Sequence, residues 1–307
     1  MTLTKPHPTT IGLFDSGVGG LSVLRQLESK LGSARLLYVG DTARCPYGGR
    51  DAGEINRFVL EIISWLIRRG ADQIVMACNT SAALAAQAAR SYFKVPIYDL
   101  IGSAALQAAK LRMKVGVLAT ENTVRTRAFT QAIVQADPQA EVVEIGCPDL
   151  VPLVERGLVN EPETRDALRR YTRGLSAQGV GAVILGCTHY PFLVDALKSV
   201  LPPDIAIIDP AEKLLLLGSD GNGNGNGHGS KASDRADDCA TEIYVTGAPA
   251  AFMRAGQICL GRRLDTVYGI TVDELASALA ENLAVAPAQE WLPVSPVVSA
   301  ETALLGG

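Results

Sequence analysis

Two short stretches place a thiol among hydroxyl and amide side chains where an apolar run ends. In MACNTSAAL, Cys78 is followed by Asn79 and Thr80; in ILGCTHYPFL, Cys187 is followed by Thr188 and His189. Four chemistries fit such residues. Cys187 could be a nucleophile with His189 as its base. Cys187, His189 and Cys78 could ligate zinc. The two thiols could work as a pair of proton-transfer groups. Each could also be a small buried hydrophobe, the ordinary state of a free cysteine. A zinc hydrolase usually carries a His-rich set, and this chain has three histidines, of which His7 lies in a polar head and His228 among glycines. The lone Cys-His nucleophile leaves Cys78, in a matching context, without a role.

The paired reading uses both thiols. Each follows a predicted strand and precedes a predicted helix. The N–H groups of a helix N-terminus favour a thiolate and grip carboxylates. Two thiols from facing halves would flank a small ligand. One, as thiolate, would take a proton from a carbon, and the other, as thiol, would deliver one to the opposite face. That is racemisation or epimerisation without a cofactor. Its difficulty is the weak acidity of a C–H beside an ionised carboxylate, so desolvation and fixed hydrogen bonds must stabilise the carbanion-like state.

The elements that would position these residues are legible as period and run length. Short β-rich runs at 10–14, 35–40, 72–77, 114–119, 141–145, 181–186, 206–210 and 242–247 alternate with helical patterns, including 19–31, 51–69, 80–92, 122–136, 148–156 and 191–200. Near-continuous apolar strands between helices predict an α/β fold with parallel sheets covered on both faces. In such a doubly wound sheet, ligands bind beyond the carboxyl ends of the strands. Those ends carry Asp15, Ser16 and Gly17; Asp41 and Thr42, with Pro46, Tyr47 and Gly48 beyond; Cys78, Asn79 and Thr80; Thr120 and Thr123; and Cys187, Thr188 and His189. The segment DSGVGG (15–20) resembles a dinucleotide loop but has Ser22 where the last glycine of G-x-G-x-x-G belongs, and no P-loop lysine follows. ADQIVMACNTSAAL and VGAVILGCTHYPFL share a template, a hint of an internal repeat.

Composition narrows the class. The chain has 307 residues, 48% hydrophobic and 20% charged, with net charge −4, so it can build packed cores and gives no reason to expect nucleic acid as a partner. There is no apolar run near the ~20 residues that a membrane span needs, and the head lacks a signal-peptide core. With six cysteines and none in a CxxC pair, this favours free thiols and a cytoplasmic location. Residues 218–238 are Gly, Asn, Ser and Asp without an apolar anchor, and are expected to form a flexible surface insertion. The tail from Thr271, with a helical pattern at 273–282, reads as an appendage.

The segments DSGVGGLSVLRQL, YVGDTARCPYGGR, MACNTSAAL, VGVLATENTV, LVERG, LGCTHYPFL and DPAE, in this order from about Ile11 to about Arg263, resemble the glutamate racemase family. The resemblance implies cofactor-independent interconversion of L- and D-glutamate by two bases, without metal, supplying D-glutamate for peptidoglycan. It implies Cys78 as the base for D-glutamate with Asp15 as its acidic helper, and Cys187 as the base for L-glutamate with His189 as its helper. Ser16, Tyr47, Gly48, Asn79, Thr80, Thr120, Thr123 and Thr188 are implied as substrate contacts, with Pro46 and Glu155 beside them; a solvated helix face is the plain alternative for Glu155. It further implies two doubly wound, mainly parallel domains facing each other across a cleft: 1–101 with 208–270, and 102–207, followed by the 271–307 appendage. A homodimer is compatible with it. Cys45 stands where the family usually has a small or aliphatic residue; packing is the favoured reading, and a third thiol near the site is the alternative. A related two-cysteine racemase of aspartate or hydantoins and a two-lobed dicarboxylate-binding protein are the alternatives.

Overall fold

The computed structural model describes residues 9–31, 34–214 and 241–285. The expected insertion at 218–238 lies outside them. In chain order the elements are β1 (Thr10–Asp15), α1 (Leu21–Lys30), β2 (Arg35–Gly40), α2 (Ala52–Arg68), β3 (Gln73–Met76), α3 (Asn79–Tyr92), β4 (Ile97–Asp99), α4 (Leu100–Leu111), β5 (Lys114–Ala119), α5 (Glu121–Thr126), α6 (Ala128–Ala136), β6 (Val142–Gly146), α7 (Leu150–Glu155), α8 (Pro162–Thr172), β7 (Val180–Leu185), α9 (Val194–Lys198), β8 (Ala206–Ile208), β9 (Thr241–Val245), α10 (Pro249–Leu260), β10 (Tyr268–Gly269) and α11 (Val272–Val285).

The strands form two wholly parallel sheets. One has the order β10-β9-β2-β1-β3-β4, the other β6-β5-β7-β8. All six residues of β1 are buried, as the continuous apolar run requires for a strand covered on both faces. In each sheet the first strand is flanked by the second and third of its own unit: β2-β1-β3 in one, β6-β5-β7 in the other. Chain order reverses between β1 and β3 and again between β5 and β7. At such switch points helices leave on opposite faces and a crevice opens beyond the strand ends. Cys78 follows β3 and Cys187 follows β7, so the two thiols occupy corresponding places in the two sheets.

Local chemistry sets the helix starts that border the crevice. Asp51 caps α2 by accepting from the Gly53 and Glu54 N–H groups, Asp99 caps α4, and Thr120 caps α5 through the Thr123 N–H. The helix predicted at 122–136 is two: Arg127 takes a left-handed backbone (φ 54°) and turns the chain between α5 and α6. The pattern at 191–200 becomes a 3-10 turn, Tyr190–Leu193, followed by the short α9. The elements α4, α8, α10, β4 and β10 were not marked by sequence period. Helix α4 is Ala-rich and lacks a contrasting polar face, α8 is almost wholly polar, and β4 and β10 are three and two residues long.

The tail reading needs correction for the residues described. Helix α11 is integral rather than appended: Leu275, Ala278 and Leu279 are buried in the core cluster that α2 builds with Ile55, Val59 and Ile63. Its start is a capping box, in which Glu274 N–H donates to Thr271 Oγ1 (3.1 Å) and Thr271 N–H donates to the Glu274 carboxylate (2.6 Å).

Candidate active site

Between the two sheets lies a cavity of about 170 Å³, lined by residues from both sides, among them Ser16, Tyr47, Gly48, Cys78, Asn79, Thr80, Thr120, Cys187, Thr188 and His189. At ~30 Å³ per water, it holds about six waters or one small molecule of that volume. A larger, open depression of about 770 Å³ flanks the end of α10, lined by Gln257, Ile258, Gly261, Arg262 and Arg263. It has no thiol, carboxylate or imidazole among those residues, so the smaller cleft is where acid-base chemistry is concentrated.

The thiol after β3 has its own attendants. Cys78 is 5% exposed and sits at the start of α3. Burial pushes its pKa up to about 11, with the Asp15 carboxylate adding to the rise, while the Ser81 hydroxyl and N–H oppose it. Asp15 is completely buried. Its Oδ1 accepts from the Gly17 N–H (2.8 Å) and its Oδ2 from the Thr188 hydroxyl (2.8 Å). Burial raises the Asp15 carboxyl, and His189 and those two hydrogen bonds pull it back without cancelling the rise.

The thiol after β7 is attended differently. Cys187 Sγ lies 3.7 Å from His189 Nδ1, and His189 Nε2 lies 2.6 Å from Glu155 Oε1. The same Oε1 accepts from the Val18 N–H (3.0 Å) across the cleft. Burial lowers the proton affinity of His189, but Cys187 and Glu155 outweigh it and hold His189 well above the usual imidazole range. Burial raises Glu155, and the imidazole reverses that to leave it below the ordinary carboxylate value. Cys187, His189 and Glu155 thus form one chain along which a proton can be taken up or released at sulfur.

The glycines of DSGVGG allow this approach. A Cβ on Gly17 would lie 2.1 Å from Glu155 Oε1, and one on Gly19 would lie 2.4 Å from His189 Nδ1 and 2.5 Å from Thr188 Oγ1. These glycines serve close approach between the two sides of the cleft rather than a phosphate.

Polar groups complete the lining. The Thr80 and Thr120 hydroxyls meet across the cleft at 2.9 Å, and Thr120 is braced by the Thr123 hydroxyl at 3.0 Å. Both amide atoms of Asn79 are buried without a hydrogen-bond partner in the protein, so the side chain is free to engage a bound molecule. The Tyr47 phenol donates to Asp41, which also accepts from Arg44 Nε at 2.6 Å, so the Tyr47 proton is already committed within the protein.

The predicted residues therefore fall into two layers. Ser16, Pro46, Tyr47, Gly48, Cys78, Asn79, Thr80, Thr120, Cys187, Thr188 and His189 line the cavity. Asp15, Thr123 and Glu155 stand behind them: Asp15 accepts from Thr188 and its charge also bears on Cys78, Thr123 meets Thr120, and Glu155 pairs with His189. Cys45 is also close, with Sγ 4.0 Å from Glu155 Oε1 and its pKa pushed up to about 12, chiefly by burial. Sequence reading missed Gly49, Glu121, Cys147, Pro148, Val151 and Pro152, which line the cavity as well. Cys147 follows β6 directly, so the strand-end rule that located the others would have found it. Among the described residues, no group of three or more His, Cys, Asp or Glu side chains is disposed to hold a metal ion. No described helix is long and apolar enough to cross a membrane.

The chain has relatives among known proteins. A family model described as Asp/Glu/Hydantoin racemase matches residues 11–215. A glutamate racemase of Nostoc sp. is 39% identical over 265 residues, covering 84% of this chain and 86% of its own. The crystal structure of glutamate racemase from Thermus thermophilus, in complex with β-chloro-D-alanine, superposes with a TM-score of 0.73 at 35% identity, covering 88% of this chain and all of that one. The glutamate racemase of Francisella tularensis in complex with D-glutamate gives a TM-score of 0.73 at 27% identity, covering 86% and 98%.

Proposed function

This chain belongs to the Asp/Glu/hydantoin racemase family, and we propose that it is a glutamate racemase that moves the Cα proton between two cysteines without a cofactor. The single observation that carries the proposal is the pair of buried thiols, Cys78 and Cys187, lining one small cleft from corresponding places in two parallel sheets. Glutamate as the substrate is supported by the named relatives and by the D-glutamate bound to one of them.

In this reading L-glutamate enters with its Cα–H toward Cys187. The sulfur takes the proton, with His189 and Glu155 stabilising the change of charge behind it. Cys78, kept protonated by burial, delivers a proton to the opposite face and leaves D-glutamate. For the reverse direction Asp15, a buried carboxyl of raised proton affinity, is the group that draws the proton from Cys78. Asn79, Thr80, Thr120 and Thr188 hold the substrate's carboxylates, and fixed donors in a water-poor cavity stabilise the carbanion-like state. Production of D-glutamate for peptidoglycan, a division into domains 1–101 with 208–270 and 102–207, and assembly as a homodimer belong to the same proposal.

Racemisation in deuterium oxide tests it. Each enantiomer of glutamate should yield product carrying deuterium at Cα, and Cys78→Ser and Cys187→Ser should each abolish conversion in both directions. Product without solvent deuterium would refute the two-base route. Turnover of aspartate in preference to glutamate would move the chain to another member of the family.

A further inference from the structure

One wall of the cleft is irregular backbone. Pro46, Tyr47, Gly48 and Gly49 line the cavity but lie between β2 and α2, outside any helix or strand. Such a segment must have its carbonyl groups satisfied from elsewhere. Within the segment the Arg50 N–H donates to the Tyr47 carbonyl (3.1 Å), and one residue from the other side of the cleft supplies three further bonds. Asn122 Nδ2 donates to the carbonyls of Tyr47 (3.1 Å) and Arg50 (2.9 Å), and the Asn122 N–H donates to the Gly48 carbonyl (3.2 Å). Asn122 is 3% exposed, which shields these bonds from water.

The place of Asn122 ties this wall to the substrate groups. It lies in the first turn of α5, next to Thr120 and Thr123, and Thr120 bridges to Thr80 on α3. Gly48 packs so closely on this turn that a Cβ there would lie 3.1 Å from Thr120 Cβ. Asn122 itself is not among the lining residues, and its Nδ2 donates to the carbonyls of the wall, so it holds the wall rather than either thiol.

We infer that Asn122 is a positioning residue that fastens the Tyr47–Arg50 wall to α5 and sets the width of the cavity, and so governs substrate binding rather than proton transfer. The inference rests on the glutamate racemase reading for its kinetic arm only.

Two variants and two measurements test it. Asn122→Asp keeps the shape and the backbone N–H but turns a carboxylate toward two carbonyl oxygens. Asn122→Ala removes the donor without that repulsion. KM for both enantiomers should rise about tenfold in Asn122→Ala and further in Asn122→Asp, with kcat within about threefold of the wild type. Amide hydrogen exchange at residues 47–50 should accelerate while β1 and β5 keep wild-type protection. A fall in kcat at unchanged KM, or wild-type exchange at the wall, would overturn the inference. Loss of protection throughout the strands would make Asn122 a folding residue and overturn it equally. Exchange needs no substrate, so a wild-type protein that fails to racemise glutamate would sink the glutamate reading and leave the exchange result to decide on Asn122.

Discussion

Replacing Gly19 by alanine is a sharp test of how the cleft holds its imidazole. Gly19 is not among the positive-φ residues, so alanine is compatible with the backbone and only its methyl group is at issue. That methyl would lie 2.4 Å from His189 Nδ1 and 2.5 Å from Thr188 Oγ1, where ordinary contact begins near 3.4 Å. The imidazole must therefore retreat by about 1 Å, or the two sides of the cleft must part by that much. The first change lengthens the 3.7 Å approach of Nδ1 to Cys187 Sγ, and the second widens the cleft between the two thiols. A misplacement of ~1 Å in a reacting array costs about 100-fold in rate, which is about 2.7 kcal/mol of transition-state stabilisation. The assay is loss of the Cα–H signal in deuterium oxide, followed by NMR from each enantiomer, alongside a thermal melt. We expect kcat/KM to fall about 100-fold from either side while the protein stays folded, with stability lower by about 1–3 kcal/mol for overpacking. A folded Gly19→Ala protein with wild-type kcat/KM would refute the idea that this turn fixes His189 at its working distance.

Three further outcomes follow from the geometry. Gly102→Ala, in α4 where an added methyl meets nothing within 4 Å, should leave activity unchanged and stabilise the helix by about 0.5–1 kcal/mol, read as a higher Tm. Leu275→Ala should cost about 2–5 kcal/mol in denaturant unfolding, because α11 buries this side chain completely against the core around α2. Glu155→Gln keeps the shape beside His189 but removes the charge. Because the folded-state affinity of His189 lies above its ordinary 6.5, its contribution to stability is complete below that pH and is lost as pH rises through the raised value. Glu155 contributes above its ordinary 4.5 and loses its contribution as pH falls through its lowered value. The variant should lose the alkaline decline in Tm attributable to this pair and shift the alkaline limb of kcat/KM to lower pH. Melts and rates recorded from mildly acidic to mildly alkaline pH check both.

The strands and the thiols were legible because both are local signals. RLLYVG and KVGVLA are uninterrupted apolar runs and form β2 and β5 at the residues read from sequence. Cys78 and Cys187 stand where such runs stop. The second layer was less legible because it depends on contacts between distant segments. Glu155 is 34 residues from His189 in the chain and 2.6 Å away in space, and its helical pattern fits a solvated face equally well. Asn122 had no local mark, since its partners at Tyr47 and Arg50 are 75 and 72 residues away. The break at Arg127 was hidden because an arginine is as good a helix former as its neighbours, and the turn goes with tertiary packing, α6 against α4 and β6 and α5 against α3. The buried face of α11 escaped notice because its value comes from α2, not from its own weak amphipathy.

The matched strand order of the two sheets has a consequence for saturation behaviour. Enantiomers in water have equal free energies, so the ratio of kcat/KM in the two directions must be one whatever the protein does. A scaffold with the same β-order on each side of the substrate suits that constraint, since each face of Cα meets a thiol at the same kind of strand end. The attendants break the likeness: a buried carboxyl stands behind one sulfur, an imidazole paired with a carboxylate behind the other. The two thiols therefore rest in unlike surroundings, so the two forms of the enzyme, each ready for one enantiomer, are not held to equal populations. Progress curves started from L- and from D-glutamate should share their initial slope at low substrate and diverge near saturation, kcat and KM differing between the enantiomers by the same factor.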